Sequence, residues 1–335
     1  MALPDRLSKR IVIAGASSLL GAELKSLLEE SRFADADLQL LDEDVAAGTL
    51  TEAGGEAAVI QPVEEGSFDR AQMVFFTGSP HFTRTNFIAA RQAKAKVIDL
   101  SGGELEQKKS VIWFPKLDWL LSREFAKDAG TYEVPSAAGT AAALLTLALR
   151  RLGLKRLSMV VFESVSEAGR LGIEELETQT GQLLSFQGVG QPVFDAQVAF
   201  NMLDRYGSAS RTRLSSVRNR IRREVLACGA QKGAAPAIQV LHAPVFYGAT
   251  FAACIELDPP ANIDRITEGC AQAGFVFTPD GMPGPSNVTA AGEKSILLAK
   301  PEPDPAQPGT WWFWGAADNI RLPAANAVKL AEMLS

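Results

Sequence analysis

The feature that most constrains the fold lies near the N-terminus. A short apolar run, Ile11 to Ala14, passes directly into Gly15-Ala16-Ser17-Ser18-Leu19-Leu20-Gly21, then into a helical pattern with Leu24, Leu27 and Leu28 on one face. A β-branched run without polar alternation reads as a parallel strand buried on both faces. Strand, tight glycine turn and helix in that order make the opening unit of a dinucleotide-binding fold, where free N–H groups at the helix start face a pyrophosphate. Leu38 to Leu41, Met73 to Phe76 and Val97 to Leu100 are further short apolar strands, with helical periodicity over Ser79 to Ala95. This alternation predicts an α/β, doubly wound Rossmann-type sheet.

The loop departs from the usual spacing at one position. Ser18 stands where such loops carry a glycine that lets backbone approach the phosphate. Its side chain either crowds a cofactor or donates a hydrogen bond to it. Gly15 and Gly21 also have purely structural readings, as the turn and as a point of close helix–sheet packing. The cofactor-binding candidates are Gly15, Ser17, Ser18, Leu19, Leu20, Gly21 and Asp42. Asp42 opens the run Asp42-Glu43-Asp44 after the second strand. An acid there accepts from a ribose 2′-hydroxyl and repels a 2′-phosphate, which favours NAD over NADP. A solvated acidic loop is the competing reading.

Composition bounds the rest. At 335 residues the chain is long enough for two cores, and 47% hydrophobic with 21% charged residues is the profile of a globular protein. No uncharged apolar run reaches the ~18 residues of a membrane span. The longest, Ala137 to Leu149, ends at Arg150 and Arg151. The charged start, Met1 to Arg10, leads into a strand and not into a signal-peptide core, so a cytoplasmic protein is expected. A net charge of -6 argues against a phosphate-backbone binder and makes nucleic acid an unfavoured partner. The one basic stretch, Arg211 to Arg223, reads first as a solvated helix face and second as a patch for an acidic partner. Cys228, Cys254 and Cys270 lack metal-ligand spacing and read as buried free thiols. With only His81 and His242 besides, no metal site is expected.

Six collinear segments resemble aspartate-semialdehyde dehydrogenases and their USG-1-like relatives. GASSLLGAEL (Gly15 to Leu24) resembles the family's glycine loop and KVIDLSG (Lys96 to Gly102) its VIDLS strand. VSEAGRLGIEELETQT (Val165 to Thr180) and FDAQVAFNMLDRYG (Phe194 to Gly207) resemble later segments, the second containing an AFN motif. APVFYGATFAACIEL (Ala243 to Leu257) resembles a VPVFYGHS strand, and AADNIRLPAANAVKLAEML (Ala316 to Leu334) a C-terminal DNLRKGAALNAV helix. The resemblance implies an NAD(P)-binding domain over 1–139, completed by a helix within 315–335 that returns to cover its sheet. It implies an α+β domain over 140–314 with a mostly antiparallel sheet, which supplies the substrate site and a homodimer interface. Strand-like runs at Ser158 to Val165, Ala237 to Leu241 and Thr250 to Leu257 are read from the residues themselves, as is the loop at Pro279 to Pro285.

The family's reaction needs a thiolate that attacks a carbonyl, a histidine that manages protons, and arginines for carboxylate and phosphate. Where a PNC-type turn is expected, the chain reads Pro135-Ser136-Ala137-Ala138-Gly139-Thr140. Anchoring on Pro135 puts Ala137 at the cysteine position, and anchoring on the helix that follows puts Thr140 there. Neither is a thiol, and Ser136 or Thr140 would need a base. In the stretch resembling VPVFYGHS, Ala249 stands for the histidine and His242 for a substrate-binding arginine. Glu163 stands for an assisting glutamine, and Glu104, close after the VIDLS-like strand, would repel an anion. Glu163 and His242 read as a polar pair, more readily a satisfied core pair than a new ligand site.

Three readings follow. The first is a homologue without the ancestral catalysis, a pseudoenzyme acting as a dimeric binding or scaffold protein in which Ser136, Ala137, Thr140, Glu163, His242 and Ala249 mark a vestigial site. The second is an NAD(P)-dependent oxidoreductase on an aldehyde or other small substrate with a non-cysteine site. The third is an interaction protein using the Arg211 to Arg223 helix. The tryptophans Trp311, Trp312 and Trp314 read as core or interface packing.

Overall fold

The computed structural model describes residues 10–43, 48–53, 56–103, 110–229, 235–279 and 281–335. Asp44 and Glu104 lie outside the described residues. The chain forms two compact units, one of Met1–Trp113, Phe125–Val134 and Ala324–Ser335, the other of Phe114–Glu124 and Pro135–Pro323.

The first unit opens with β1 (Arg10–Ala14), α1 (Leu19–Glu29) and β2 (Asp37–Asp42). A hairpin of β3 (Leu50–Ala53) and β4 (Glu56–Val59) and a short β5 (Gln61–Pro62) follow. Then come β6 (Met73–Phe76), α2 (Pro80–Gln92), β7 (Lys96–Asp99) and β8 (Val111–Ile112). A one-turn helix α3 (Leu117–Leu120) belongs to the second unit, and β9 (Thr131–Glu133) returns to the first. The sheet runs β5-β2-β1-β6-β7-β9-β8 with every pairing parallel. The unalternated apolar strands are explained by burial on both faces. Ile11, Ile13, Phe75 and Ile98 pack on one side with Leu24, Leu27 and Leu28 and with Ala327, Leu330 and Ala331 near the C-terminus. Val12, Ala14, Val74 and Val97 pack on the other side with Phe82, Phe87 and Ala90. Each such aliphatic or aromatic side chain contributes about 1.5–3 kcal/mol by leaving water.

The second unit holds α4 (Ala137–Arg150), β10 (Leu154–Glu163), α5 (Gly169–Leu184) and α6 (Leu214–Ala227). It continues with β11 (Ala237–His242), β12 (Ala249–Leu257), α7 (Ile263–Ala273), β13 (Phe275–Phe277) and β14 (Ile296–Leu298). The chain ends with β15 (Glu302–Pro303), β16 (Thr310–Ala317) and α8 (Arg321–Leu334), whose residues from Ala324 onward belong to the first unit. The sheet order is β11-β10-β12-β16-β14-β13, with β15 on β16. It is mixed: β10–β11 and β13–β14 pair parallel, the other pairings antiparallel. Helix α4 is alanine- and leucine-rich and buried from Ala137 through Leu149, as a helix apolar all round must be. It packs on α6, α7 and β10.

The boundaries differ from those expected at 139/140 and 314/315. They fall at 134/135 and 323/324 because β9 ends before Ser136 caps α4, and because β16 continues the second sheet to Ala317. No helix among the described residues is long and apolar enough to cross a membrane.

Candidate functional site

The glycine loop sits at the carboxyl ends of β1 and β6, where the strand order reverses; ligands of open α/β sheets bind at such points. Gly15 adopts φ +100, and a Cβ there would stand 2.1 Å from the Gly78 nitrogen. At Gly21 a Cβ would meet the Gly15 carbonyl oxygen at 2.4 Å. Both glycines thus serve the loop's own packing. Ser18 is the N-cap of α1: its Oγ accepts from the Gly21 N–H at 2.9 Å and donates to the Thr77 carbonyl at 3.0 Å. Its one proton is committed, so it is not the cofactor donor considered above. The Ser17 N–H donates to Asp42 Oδ2 at 2.7 Å, and Glu43 N–H donates to Oδ1 at 2.8 Å. The amides of Leu19 and Leu20 have no acceptor among the described residues, so two donors at the start of α1 still suit a pyrophosphate. Asp42 is buried beside the loop, so an acidic loop open to solvent is not its setting.

In the second unit, α4 starts from Ser136 as N-cap, whose Oγ accepts from the Gly139 N–H at 3.1 Å. Ser136 also gives two hydrogen bonds to Glu224 on α6, from its N–H (3.0 Å) and from its Oγ–H (2.6 Å). The Glu224 side chain is 0% exposed and receives Arg220 Nε at 2.8 Å. Arg220 reaches Glu167 as well, at 3.8 Å. Ala137 is the first residue of α4, and Thr140 lies one turn in with Oγ1 buried and without a hydrogen-bond partner among the described residues.

The other candidates share one row across the sheet. Glu163 stands between His242 on β11 and Ala249 on β12, and Ala249 pairs with Ala317 on β16. Opposed residues share a face, here the one that buries Glu163, His242 and Ala249 alike. The expected Glu163–His242 pair does not form. His242 Nε2 lies 3.0 Å from the Val198 carbonyl and Nδ1 3.3 Å from the Tyr206 hydroxyl. A carbonyl only accepts, so Nε2 carries the proton and Nδ1 accepts from Tyr206. Burial holds the imidazole below its ordinary pKa, opposed by the Val198 carbonyl. The Glu163 carboxyl has no hydrogen-bond partner among the described residues. Burial first, and then the Glu167 and Glu224 charges, push its pKa well up, against the pull of Arg220. The same burial and the Glu163 and Glu167 charges push the Tyr206 hydroxyl upward.

The segment containing the AFN motif is fixed by α5. Gln179 Oε1 accepts from Val198 N–H (2.7 Å) and Ala199 N–H (3.2 Å), and Glu175 accepts from Val193 N–H and Phe194 N–H. That anchorage brings the Val198 carbonyl to His242.

The comparisons with known proteins agree with this architecture. Residues 10–118 match the family model described as the semialdehyde dehydrogenase NAD binding domain, and 144–322 match its dimerisation domain. The chain belongs to the semialdehyde dehydrogenase family. A USG-1 protein homolog of Pseudomonas aeruginosa is 28% identical over 97% of both chains. Aspartate-semialdehyde dehydrogenase 2 of Vibrio cholerae is 25% identical, also over 97% of each. The solved structure of a probable aspartate-semialdehyde dehydrogenase from Pseudomonas aeruginosa superimposes with a TM-score of 0.83 at 27% identity, covering 98% of each chain.

Membership in the semialdehyde dehydrogenase family places a nicotinamide-binding domain and a dimerisation domain in one chain. The sequence reading missed Glu224, Arg220 and Glu167. The signal was present: Glu224 falls among Leu214, Ile221 and Val225 on the apolar stripe of α6, where a carboxylate needs a partner. The basic helix is also less solvated than expected. Arg218 donates to Gln239 (3.0 Å), Arg220 to Glu224 and Arg222 to the Ile238 carbonyl. Cys228 and Cys270 are buried as expected, but Cys254 is half-buried because its row of β12 faces outward, opposite Trp312. Trp311 is buried, whereas Trp312 and Trp314 lie on that outward face, 47% and 39% exposed.

Proposed function

We propose that this member of the semialdehyde dehydrogenase family is a dimeric binding protein that does not carry out semialdehyde dehydrogenation. The carrying observation is Ala137 at the first position of α4, directly after Pro135 and the N-cap Ser136. This arrangement favours anchoring the PNC-type turn on Pro135, which leaves a methyl group where the reaction needs a thiolate. The remaining thiols sit elsewhere: Cys228 at the end of α6, Cys254 on the outward row of β12 and Cys270 inside α7. Ala249 offers no base at the histidine position. Ser136 does touch a carboxylate, but Glu224 already receives three hydrogen bonds, two from Ser136 itself and one from the Arg220 guanidinium, a pairing that fixes the N-cap of α4. Thr140 Oγ1 has no hydrogen-bond partner among the described residues, hence no base bonded to it there.

The glycine loop supports retention of a dinucleotide, NAD in preference to NADP. Leu19 and Leu20 N–H suit the pyrophosphate, Asp42 suits a ribose diol, and its charge opposes a 2′-phosphate. When bound, the nicotinamide would supply hydride chemistry; this chain's residues bind and orient. The dimerisation-domain match and the outward Trp312 and Trp314 support a homodimer through that sheet face. The loop geometry also keeps a second reading in play, an NAD-dependent oxidoreductase on an aldehyde at a non-cysteine site. A docking role for the basic helix loses support because Arg218, Arg220 and Arg222 bond inward.

The test is titration of the purified protein with NAD and NADP, followed by a turnover assay on aspartate semialdehyde with phosphate. NAD binding without turnover is the expected result. Turnover at rates typical of enzymes overturns the reading. Turnover of another aldehyde with NAD moves the assignment to the second.

A further inference from the structure

We infer that the first unit carries a binding site for a small α-amino acid, at the end of β2 remote from the glycine loop. A cavity of about 250 Å³ opens there, walled by Arg10, Asp37, Gln39 and Gln61 and, toward the apolar core, by Leu38 and Ala58. Strand register explains why the polar groups share a wall. Arg10 pairs with Asp37, Val12 with Gln39 and Leu41 with Gln61. Opposed residues share a face and alternate residues of one strand return to it, so all four polar side chains lie on one side of the sheet. Asp42, which holds the glycine loop, ends the same strand about 16 Å further on.

Two features of this wall call for a ligand that carries both charges. Gln39 Oε1 is shut off from solvent and has no hydrogen-bond partner among the described residues. A shielded acceptor without a donor is unfavourable, and folded chains rarely leave one. Beside it, Arg10 and Asp37 meet through a single contact, Nε to Oδ2 at 2.9 Å, with their side chains 40% and 45% exposed. The terminal nitrogens of Arg10 and Oδ1 of Asp37 take no part in that contact, so donors and an acceptor remain on its open side. An α-amino acid supplies the complement. Its carboxylate accepts from the terminal nitrogens of Arg10, and its ammonium donates to Asp37 Oδ1 and Gln39 Oε1. A ligand with negative charge alone would be set against Asp37, and one with positive charge alone against Arg10. The cavity is smaller than the roughly 300–1,000 Å³ of drug-sized pockets, so the ligand is small, and Leu38 and Ala58 suit an aliphatic side chain.

The test uses the full chain with glycine, L-alanine, L-serine and L-valine, each added singly and followed by calorimetry and saturation-transfer NMR. Propionate and ethylamine, each with one of the two charges of alanine, are the controls. At least one of the amino acids should bind the wild type saturably, and neither control should. Gln39→Leu and Arg10→Met should each weaken that binding at least about tenfold, the scale of a lost hydrogen bond to a charged group. Both variants should fold, because one removes an unpaired acceptor at nearly constant volume and the other a half-exposed ion pair. Circular dichroism checks this, and should Gln39→Leu not fold, Gln39→Met takes its place. A wild type that binds none of the four amino acids overturns the proposal and leaves Gln39 to water. A control that binds as tightly as alanine overturns it too, as does binding that a folded variant leaves unchanged. Because amino-acid binding at β2 is read, and neither dinucleotide binding nor turnover, failure here is separate from failure of the assignment above.

Discussion

The carboxylate of Asp42, at the end of β2, accepts the backbone N–H of Ser17 at 2.7 Å. One residue therefore holds the tip of the glycine loop and places negative charge where an adenosine ribose would lie in a fold of this type. Replacing Asp42 by Asn keeps an acceptor for Ser17 but removes the charge. The expected outcome is a preference for NAD over NADP reduced by about tenfold, the order of one lost charge–charge contact near a surface. Fluorescence titration with both dinucleotides checks it, and an unchanged ratio would remove Asp42 from the site.

Loop integrity rests on the two glycines. Gly15→Ala places a methyl group 2.1 Å from Gly78 N at φ +100, and Gly21→Ala places one 2.4 Å from the Gly15 carbonyl. Backbone blocks both, so neither clash relaxes by a side-chain turn. Each variant should lose about 2–4 kcal/mol in urea unfolding, the range of overpacking with backbone strain. Gly181→Ala, where a Cβ meets nothing within 4 Å, is the control and should gain slightly from helix propensity.

Glu163 and His242 oppose each other in pH dependence. Burial raises Glu163, so the folded state keeps its proton where the unfolded state has lost it. Its contribution is fully present below the unfolded value of 4.5 and is lost as pH rises through the folded value. His242 is lowered by burial, so below 6.5 the unfolded state takes the proton first and stability falls with pH. Glu163→Gln should raise the melting temperature at neutral pH and flatten the decline above pH 4.5. His242→Gln should flatten the acid-side decline below 6.5. Melting curves across pH measure both slopes; a wild-type slope that survives Glu163→Gln assigns it to other carboxyls.

The parallel sheet was legible from the sequence because Ile11 to Ala14 and Met73 to Phe76 are apolar without alternation, which only burial on both faces explains. Residues whose meaning depends on a distant partner were not legible. Ser18 looked like a cofactor contact because its acceptor, the Thr77 carbonyl, is 59 residues away. Glu163 and His242 read as a pair because both match substrate-site positions of the resembled family; the structure does set them in one row, yet the loop anchored by Gln179 supplies the imidazole with Val198 instead. Ser136 and Glu224 are separated by 88 residues, and the arginines around Glu224 made α6 read as a charged surface.

Thiol chemistry tests the proposal that this chain has no activated cysteine. Burial raises both Cys254 and Cys270, the latter to about 12. An activated thiolate reacts fast at neutral pH, whereas an ordinary or buried thiol gains rate only as pH rises. Alkylation followed by peptide mapping should label Cys254 first, accelerating toward alkaline pH without a neutral plateau. Cys228 and Cys270 should react only on unfolding. A neutral-pH plateau at any of the three would point to a nucleophile and count against the assignment.

The outward face of the second sheet supplies the last prediction. Trp314 lies 39% exposed with its ring 5.8 Å from Phe162, and its Nε1 donates to the Pro285 carbonyl at 2.7 Å. Trp312 lies 47% exposed and donates from Nε1 to Asp304 at 2.9 Å. Two half-exposed indoles fixed by hydrogen bonds are already ordered, so little side-chain entropy remains to be lost on association. Trp312→Glu and Trp314→Glu would each put a charge into a paired apolar face while leaving the buried row of β16 untouched. Sedimentation equilibrium should show a dimer for the wild type and a dissociation constant raised at least about a hundredfold for each variant. Circular dichroism should be unchanged, since neither ring belongs to the core. A dimer that survives both substitutions would move the interface to another face of the unit, and a wild-type monomer would refute the dimeric assignment.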